Sequence, residues 1–244
     1  MLDSPLDYRE VWNRKPVLRE VYGDIYKRML AQCTPGRILE IGGGSGNFKA
    51  FAPQTISSDI VSAPWLDVVC DAQRLPFETG SLSNIVMVDV LHHLESPGRF
   101  LKEAERVLQS GGRLVFCEPA ITPLSGIFYR LFHEEPFDLS ANPLASETVT
   151  ADRNPWDSNQ GIPTLLVGRF RDAVARLVPS LALTNVDYFS FVSYPLSGGF
   201  KSWSLMPTAA VAPISGIEWR LRKVFGRLAA FRMLVVYEKR GIKT

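Results

Sequence analysis

Residues Ile38 to Phe48 read Ile-Leu-Glu-Ile-Gly-Gly-Gly-Ser-Gly-Asn-Phe: a glutamate, Glu40, followed by Gly42, Gly43, Gly44 and Gly46. An apolar strand is predicted to run straight into this turn and a helix to leave it. Glycine is required where a chain turns with positive φ, or where a ligand must approach the backbone with no Cβ in the way. Here that requirement recurs at the carboxyl end of a predicted strand, where open α/β sheets bind nucleotide-like ligands. Carboxylates fall at the ends of the next predicted strands. Asp59 closes the second, Asp71 the third and Asp89 the fourth.

The spacing of the glycines narrows the ligand. A dinucleotide fingerprint G-x-G-x-x-G would need glycine at 47 or 49, and the chain has Asn47 and Lys49. What stands instead, E-x-G-x-G-x-G, resembles the class I S-adenosylmethionine-dependent methyltransferases. Two later stretches resemble the same family, in its small-molecule methyltransferase form. They are Cys-Asp-Ala-Gln-Arg-Leu-Pro-Phe (70–77) and Asp-Val-Leu-His-His-Leu (89–94). The resemblance covers roughly residues 36 to 118. It implies that Asp59, with Ile60 beside it, meets the ribose hydroxyls and that Asp71 meets the adenine amino group, with the Ala72 amide on a ring nitrogen. It further implies that Glu40 orients the glycine loop and the methionine end, and that Val88 and Asp89 lie under the methionyl group.

Each acid taken alone also fits a helix cap or a solvated loop carboxylate; it is the joint placement at successive strand ends that points to a site. Methyl transfer to a hydroxyl needs a base within hydrogen-bond reach. The chain has three histidines, His92, His93 and His133. His133 stands first as base because Glu134 and Glu135 follow it, and a neighbouring carboxylate can hold its tautomer. His92 and His93 are the other candidates. A hydrogen-bonded structural histidine is the plain alternative for all three. Asn159 and Gln160 could meet a polar substrate or serve only as helix-entry groups. Tyr8, Trp12, Trp156 and Trp203 could wall an apolar pocket or pack as local anchors.

The elements that must position these residues alternate. An amphipathic helix is predicted over 16–32, with Val17, Leu18, Val21, Tyr22, Ile25, Tyr26, Met29 and Leu30 on one stripe. Strands follow over 37–41, 54–60, 65–70, 84–90 and 113–117, with helices over 45–52 and 97–108. A helix over 163–178 and strands over 183–192 and 231–238 complete the pattern. This order calls for a doubly wound, mostly parallel α/β sheet with helices on both faces. The resemblance adds seven strands and a last one that runs antiparallel.

The whole chain reads as one domain: an N-terminal helical segment to residue 35, a cofactor core over 36–118, and two irregular stretches, 119–163 and 194–215. The first holds six of the 17 prolines. Stretches that long and aperiodic are seldom passive connectors, so both are candidate substrate-side lids.

Composition excludes several classes. Across 244 residues, 46% are hydrophobic and 21% charged, as in ordinary globular proteins, and the net charge of +2 argues against a general nucleic-acid binder. Cys33, Cys70 and Cys117 lie far apart, which suits reduced thiols and offers no metal-ligand spacing, so no metal is expected. No signal-peptide core and no spanning run stand out, and a cytoplasmic location is expected. Residues 215–230 place Leu221, Val224, Phe225 and Leu228 on one face and Arg220, Lys223 and Arg227 on another, with Trp219 between. Such a helix either packs on the sheet or lies at an anionic membrane surface.

The expected activity is transfer of a methyl group from S-adenosyl-L-methionine, leaving S-adenosyl-L-homocysteine. The acceptor is a small molecule, sugar or lipid-linked compound, with oxygen favoured over nitrogen or carbon. A nicotinamide oxidoreductase and a non-catalytic S-adenosylmethionine-binding scaffold are the rivals.

Overall fold

The computed structural model describes residues 4–132, 135–145 and 154–241. His133 therefore lies outside the described residues. In chain order the elements are α1 (Pro5–Arg14), α2 (Pro16–Leu30), β1 (Ile38–Ile41), α3 (Asn47–Phe51), β2 (Ile56–Asp59), β3 (Val68–Val69), β4 (Leu82–Val88) and α4 (Pro97–Val107). After them come β5 (Leu108–Pro119), α5 (Pro123–Phe132), α6 (Ile162–Val167), α7 (Arg171–Leu177), β6 (Leu181–Phe189), α8 (Ser193–Ser197), α9 (Thr208–Ala229) and β7 (Arg232–Lys239).

The strands form one seven-stranded sheet in the order β3-β2-β1-β4-β5-β7-β6. β1 to β5 are parallel, and β7 inserts antiparallel between β5 and β6. The fold is the mostly parallel, doubly wound sheet expected from the alternation of elements.

Period-two alternation divides the core. Ile85 and Met87 of β4, Leu114 and Phe116 of β5, and Met233 and Val235 of β7 pack with Phe100, Leu101 and Ala104 of α4 and with Leu166 and Val174 beyond it. Their neighbours Val86, Val115, Cys117, Leu234 and Val236 face the other way, onto Leu18, Val21, Ile25 and Met29 of α2 and Val211 of α9. A strand buried on both faces has to be apolar at successive positions, which is why β4, β5 and β7 read as unbroken hydrophobic runs. Cys117 is buried here, and all three cysteines are free thiols.

Several boundaries depart from the sequence expectation, each for a local reason. The third strand shrinks from 65–70 to Val68–Val69 because its approach is held by side chains. Trp65 Nε1 donates to the Gly44 carbonyl (2.8 Å), and the Asp67 carboxylate accepts from the Ser57 amide (2.8 Å) and pairs with Lys49. β5 begins five residues early, at Leu108. Its pairing with β4 jumps from Leu82↔Leu108 to Asn84↔Arg113, and Gly111 (φ +76°) sits in the bulge. The helix expected over 163–178 breaks at Gly168 (φ −105°, ψ −103°) into α6 and α7. A helix not expected, α1, opens on Ser4, whose hydroxyl caps Asp7, with Pro5 in its first turn. The irregular stretches hold α5 in the first and parts of α8 and α9 in the second. α9 starts seven residues earlier than the predicted 215.

Candidate active site

A large cavity, about 1310 Å³, opens above the carboxyl ends of β1, β2 and β4. That exceeds the roughly 300–1,000 Å³ usual for a small-ligand pocket, so two molecules can share it. One end is lined by Glu40, Gly42, Gly43, Gly44, Asp59, Ile60, Asp71 and Ala72; the other by aromatic side chains from α1, α5 and the two irregular stretches; Val88, Asp89, His92 and His93 lie between. The sequence-derived candidates among the described residues are thus brought together, except Gly46, Trp12 and Asn159.

Gly46 is not on the cavity wall. It turns with φ +76° at the start of α3, and a Cβ there would meet the Trp65 ring at 2.6 Å. Its role is to let Trp65 close the outside of the loop. Gly42 (φ +75°) is held by Val90, 2.1 Å from where its Cβ would lie. Gly44 differs. A Cβ there would find its nearest atoms at 3.7 Å and would project into the cradle, which is the open backbone surface that a ligand needs.

The loop is fixed by carboxylates. Asp59 accepts from the Gly44 amide (2.8 Å) with one oxygen and from the Val61 amide (2.9 Å) with the other. A carboxylate has about four lone-pair sites, so half its capacity remains for ligand hydroxyls. Asp71 takes both the amide and the side-chain nitrogen of Gln73 on Oδ1 (2.8 and 3.1 Å), which leaves Oδ2 for a ligand donor. Glu40 is buried and accepts from Ser57 Oγ (2.5 Å). Burial raises its pKa to about 7 against that hydrogen bond, so a cationic group arriving beside it would favour the carboxylate.

Two buried ionic clusters that sequence reasoning missed underlie the middle of the cavity. In the first, Arg232 at the start of β7, 1% exposed, grips Asp89 with both terminal nitrogens (2.5 Å each), and the Tyr22 hydroxyl donates to the same carboxylate (2.9 Å). Burial by itself would raise the Asp89 pKa, but Arg232 outweighs it and holds the carboxyl below its usual range. Asp89 also adopts φ +58°, a region that aspartate tolerates better than most residues. Three of its acceptor positions are thus taken by Arg232 and Tyr22.

In the second cluster, Glu118, fully buried at the end of β5, accepts from the amides of Val90 and Leu91 (2.8 and 2.7 Å). Its other oxygen lies 2.6 Å from His92 Nδ1. Glu135 approaches the opposite nitrogen of His92 at 3.5 Å and receives Gln160 Nε2 at 2.9 Å. Burial would depress the His92 pKa, yet Glu118 and then Glu135 reverse this and raise it to about 10. Glu135 is held well below the ordinary carboxylate range by His92 despite burial. His92 is thus clamped between two carboxylates that favour its protonated form, which makes it a poor proton acceptor at neutral pH.

His93 is its opposite. Its ring lies 4.2 Å from that of His92, burial and the His92 charge lower its pKa, and Nδ1 is buried with no hydrogen-bond partner among the described residues. It is a neutral imidazole with an acceptor nitrogen to spare. Asn159 proves to be a turn clamp: its amide donates to the His92 carbonyl, and its side chain ties Asp138 to Gly161.

At the aromatic end Tyr8 stacks on Trp156 (5.8 Å, 8°) and meets Phe200 edge-on. Trp12 instead packs away from the cavity against Tyr22 and Tyr26. The second irregular stretch is pinned by Lys15, whose ammonium donates to the carbonyls of Gly199, Lys201 and Trp203 (2.7, 2.7 and 2.8 Å); burial lowers its pKa to about 8. Some of these groups could have been found from sequence. Glu118 closes an apolar strand just as Asp59 and Asp71 do. Arg232 is the lone charge in an apolar run whose antiparallel direction brings its start to the same rim.

Comparison with known proteins agrees with this geometry. Residues 39–116 match the family described as "Methyltransferase domain". Over 161 residues the chain is 26% identical to a Mycobacterium tuberculosis protein named "Probable S-adenosylmethionine-dependent methyltransferase", covering 60% of this chain and 53% of that one. This chain thus spans about half the length of that relative. Over 89 residues it is 33% identical to demethylmenaquinone methyltransferase of Mycolicibacterium gilvum, covering 36% of this chain and 38% of the other. The crystal structure of a SAM-dependent methyltransferase from Thermotoga maritima superposes on 92% of both chains with a TM-score of 0.57 at 18% identity, a likeness of fold. The chain has the Rossmann-like methyltransferase fold, and its residues 39–116 match the methyltransferase domain.

Proposed function

We propose that this chain transfers a methyl group from S-adenosylmethionine to an oxygen of an apolar small-molecule or lipid-linked acceptor held in the aromatic half of the cavity. The observation that carries this reading is the continuity of the cavity. The open glycine cradle and strand-end carboxylates lie at one end, an aromatic chamber at the other, and a neutral histidine between them.

The residues fit the cofactor. Gly44 leaves the backbone open, Asp59 and Asp71 keep acceptor capacity for hydroxyl and amino donors, and Glu40 is ready to ionise beside a cation. When bound, S-adenosylmethionine supplies a methyl group already activated on a sulfonium. The chain's own part is then to position and to exclude water. Holding reactants in line at about 3–3.5 Å is worth several kcal/mol of barrier, and the aromatic walls together with the stretch pinned by Lys15 keep solvent away. An acceptor hydroxyl must also lose its proton. We assign that proton to His93, which lines the cavity between its two halves, while His92 and its two carboxylates fix the turn on which His93 stands. His133, outside the described residues, remains the competing base.

The test is incubation with methyl-labelled S-adenosylmethionine and fractionated lipid and small-molecule extracts, read as label transferred to an organic-soluble product. Transfer only to strongly polar products would refute the acceptor class. The cofactor half has its own prediction. Asp59→Ala is expected to weaken binding of S-adenosylhomocysteine by about 1–3 kcal/mol, because ligand hydroxyls and the Gly44 amide lose their acceptor. Calorimetry that gave an unchanged Kd would remove the ribose assignment.

A further inference from the structure

We infer that the face formed by α5 and α9 docks on an anionic lipid bilayer and opens the acceptor chamber toward it. The inference extends the proposed acceptor class but does not depend on turnover. The two helices pack on each other. α9 leaves Ile217, Leu221, Val224 and Leu228 exposed at successive helical turns, Val224 by 73%. α5 adds Leu124, Ile127 and Leu131, the last 68% exposed. An apolar stripe that long on a surface helix serves nothing in the protein's own core, which α9 meets through Val211, Ser215, Glu218 and Gly226 on its opposite side. Trp219, which the sequence places between the apolar and basic faces, turns inward, edge-on to Phe189 and between Arg28 and Arg222.

Charge selects the occupant. Arg220, Lys223 and Arg227 are exposed along one flank of the stripe and form no ion pair among the described residues. The lone acid of α9, Glu218, is buried, where it accepts from the Val192 and Ser193 amides, and α5 contains no acid. The face is therefore apolar and uniformly positive, the combination that binds anionic headgroups and inserts side chains among the acyl chains. No helix of the described residues is long and apolar enough to cross a membrane, so contact is at the interface.

The face also leads inward. Phe128 and Phe132 of α5 line the cavity together with Phe231, whose ring meets that of Phe128 edge-on at 5.1 Å. An apolar path thus runs from the proposed bilayer contact to the acceptor chamber, suited to an acceptor dissolved in the membrane.

The full-length protein should be sedimented with phosphatidylcholine vesicles with and without phosphatidylglycerol. Pelleting is expected with the anionic vesicles, declining as salt is raised, and little with phosphatidylcholine alone. The exposed changes Val224→Glu and Leu228→Glu together are expected to lower the bound fraction by about tenfold. Charge reversal at Arg220, Lys223 and Arg227 should do the same. Folding by circular dichroism and binding of S-adenosylhomocysteine should be unchanged in every variant, so a failure of the cofactor reading would show separately. A wild-type protein that stays in the supernatant with anionic vesicles, or variants that pellet equally well, would overturn the inference. So would a wild-type dimer in light scattering that Val224→Glu converts to a monomer, since the face would then belong to a second copy.

Discussion

Replacing His93 by alanine is expected to lower turnover by about 100- to 10,000-fold, the usual contribution of a positioned acid–base group, with the affinity for S-adenosylhomocysteine nearly unchanged. The reason lies in the contrast between adjacent histidines. Glu118 and Glu135 favour the protonated form of His92, which leaves it without a lone pair to take a proton from an acceptor. His93, depressed by burial and by that same charge, keeps a bare Nδ1. The pH profile follows with a definite sign. A base works only when neutral, and a pKa below the ordinary histidine value keeps it neutral to lower pH. Activity should therefore be flat above about pH 6.5 and fall only below it. A control comes from His133→Ala, which should leave kcat within a fewfold of wild type. If that variant is the inactive one and His93→Ala is not, the proton goes to His133.

The largest effect on stability is expected at the ion pair under the same chamber. Asp89→Ala leaves the Arg232 guanidinium buried with no counter-charge, which costs about 3–5 kcal/mol. For a chain of this size that amounts to a fall in Tm of roughly 6–20 °C. Asp89→Asn separates the causes, since asparagine tolerates the left-handed backbone (φ +58°) that alanine does not. Most of the loss should remain with asparagine, because the missing charge dominates. The linkage sign is that of a depressed carboxyl. The contribution is complete above the unfolded pKa of about 3.9 and is lost only as pH falls through the lower folded value. An Asp89→Asn protein as stable as wild type would show that Arg232 finds another partner or reaches water.

Much of this arrangement was legible in the chain itself, for physical reasons. The glycines at 42–44 and the carboxylates at 59 and 71 could be placed because a parallel sheet puts every strand's carboxyl end on one rim, so position along a strand is also position in the site. The inserted antiparallel β7 followed the family resemblance. What stayed hidden depends on partners distant in sequence. Arg232 meets Asp89 across 143 residues and Glu118 meets His92 across 26, and no local pattern announces either pairing. The break at Gly168 and the short β3 were missed because one glycine, and one tryptophan drawn to Gly44, override an otherwise regular pattern. Asp89 stands on the cavity rim that its place at the end of β4 implies, and its partner Arg232 comes from the far end of the chain.

The most direct test of the central claim is a crystal structure of the protein grown with S-adenosylhomocysteine. The expected result places the ribose hydroxyls on Asp59, the adenine amino group at Asp71 and the sulfur toward His93 and the aromatic chamber. A cavity that stays empty at saturating ligand, or product bound elsewhere while side chains fill the cradle at Gly44, would contradict it.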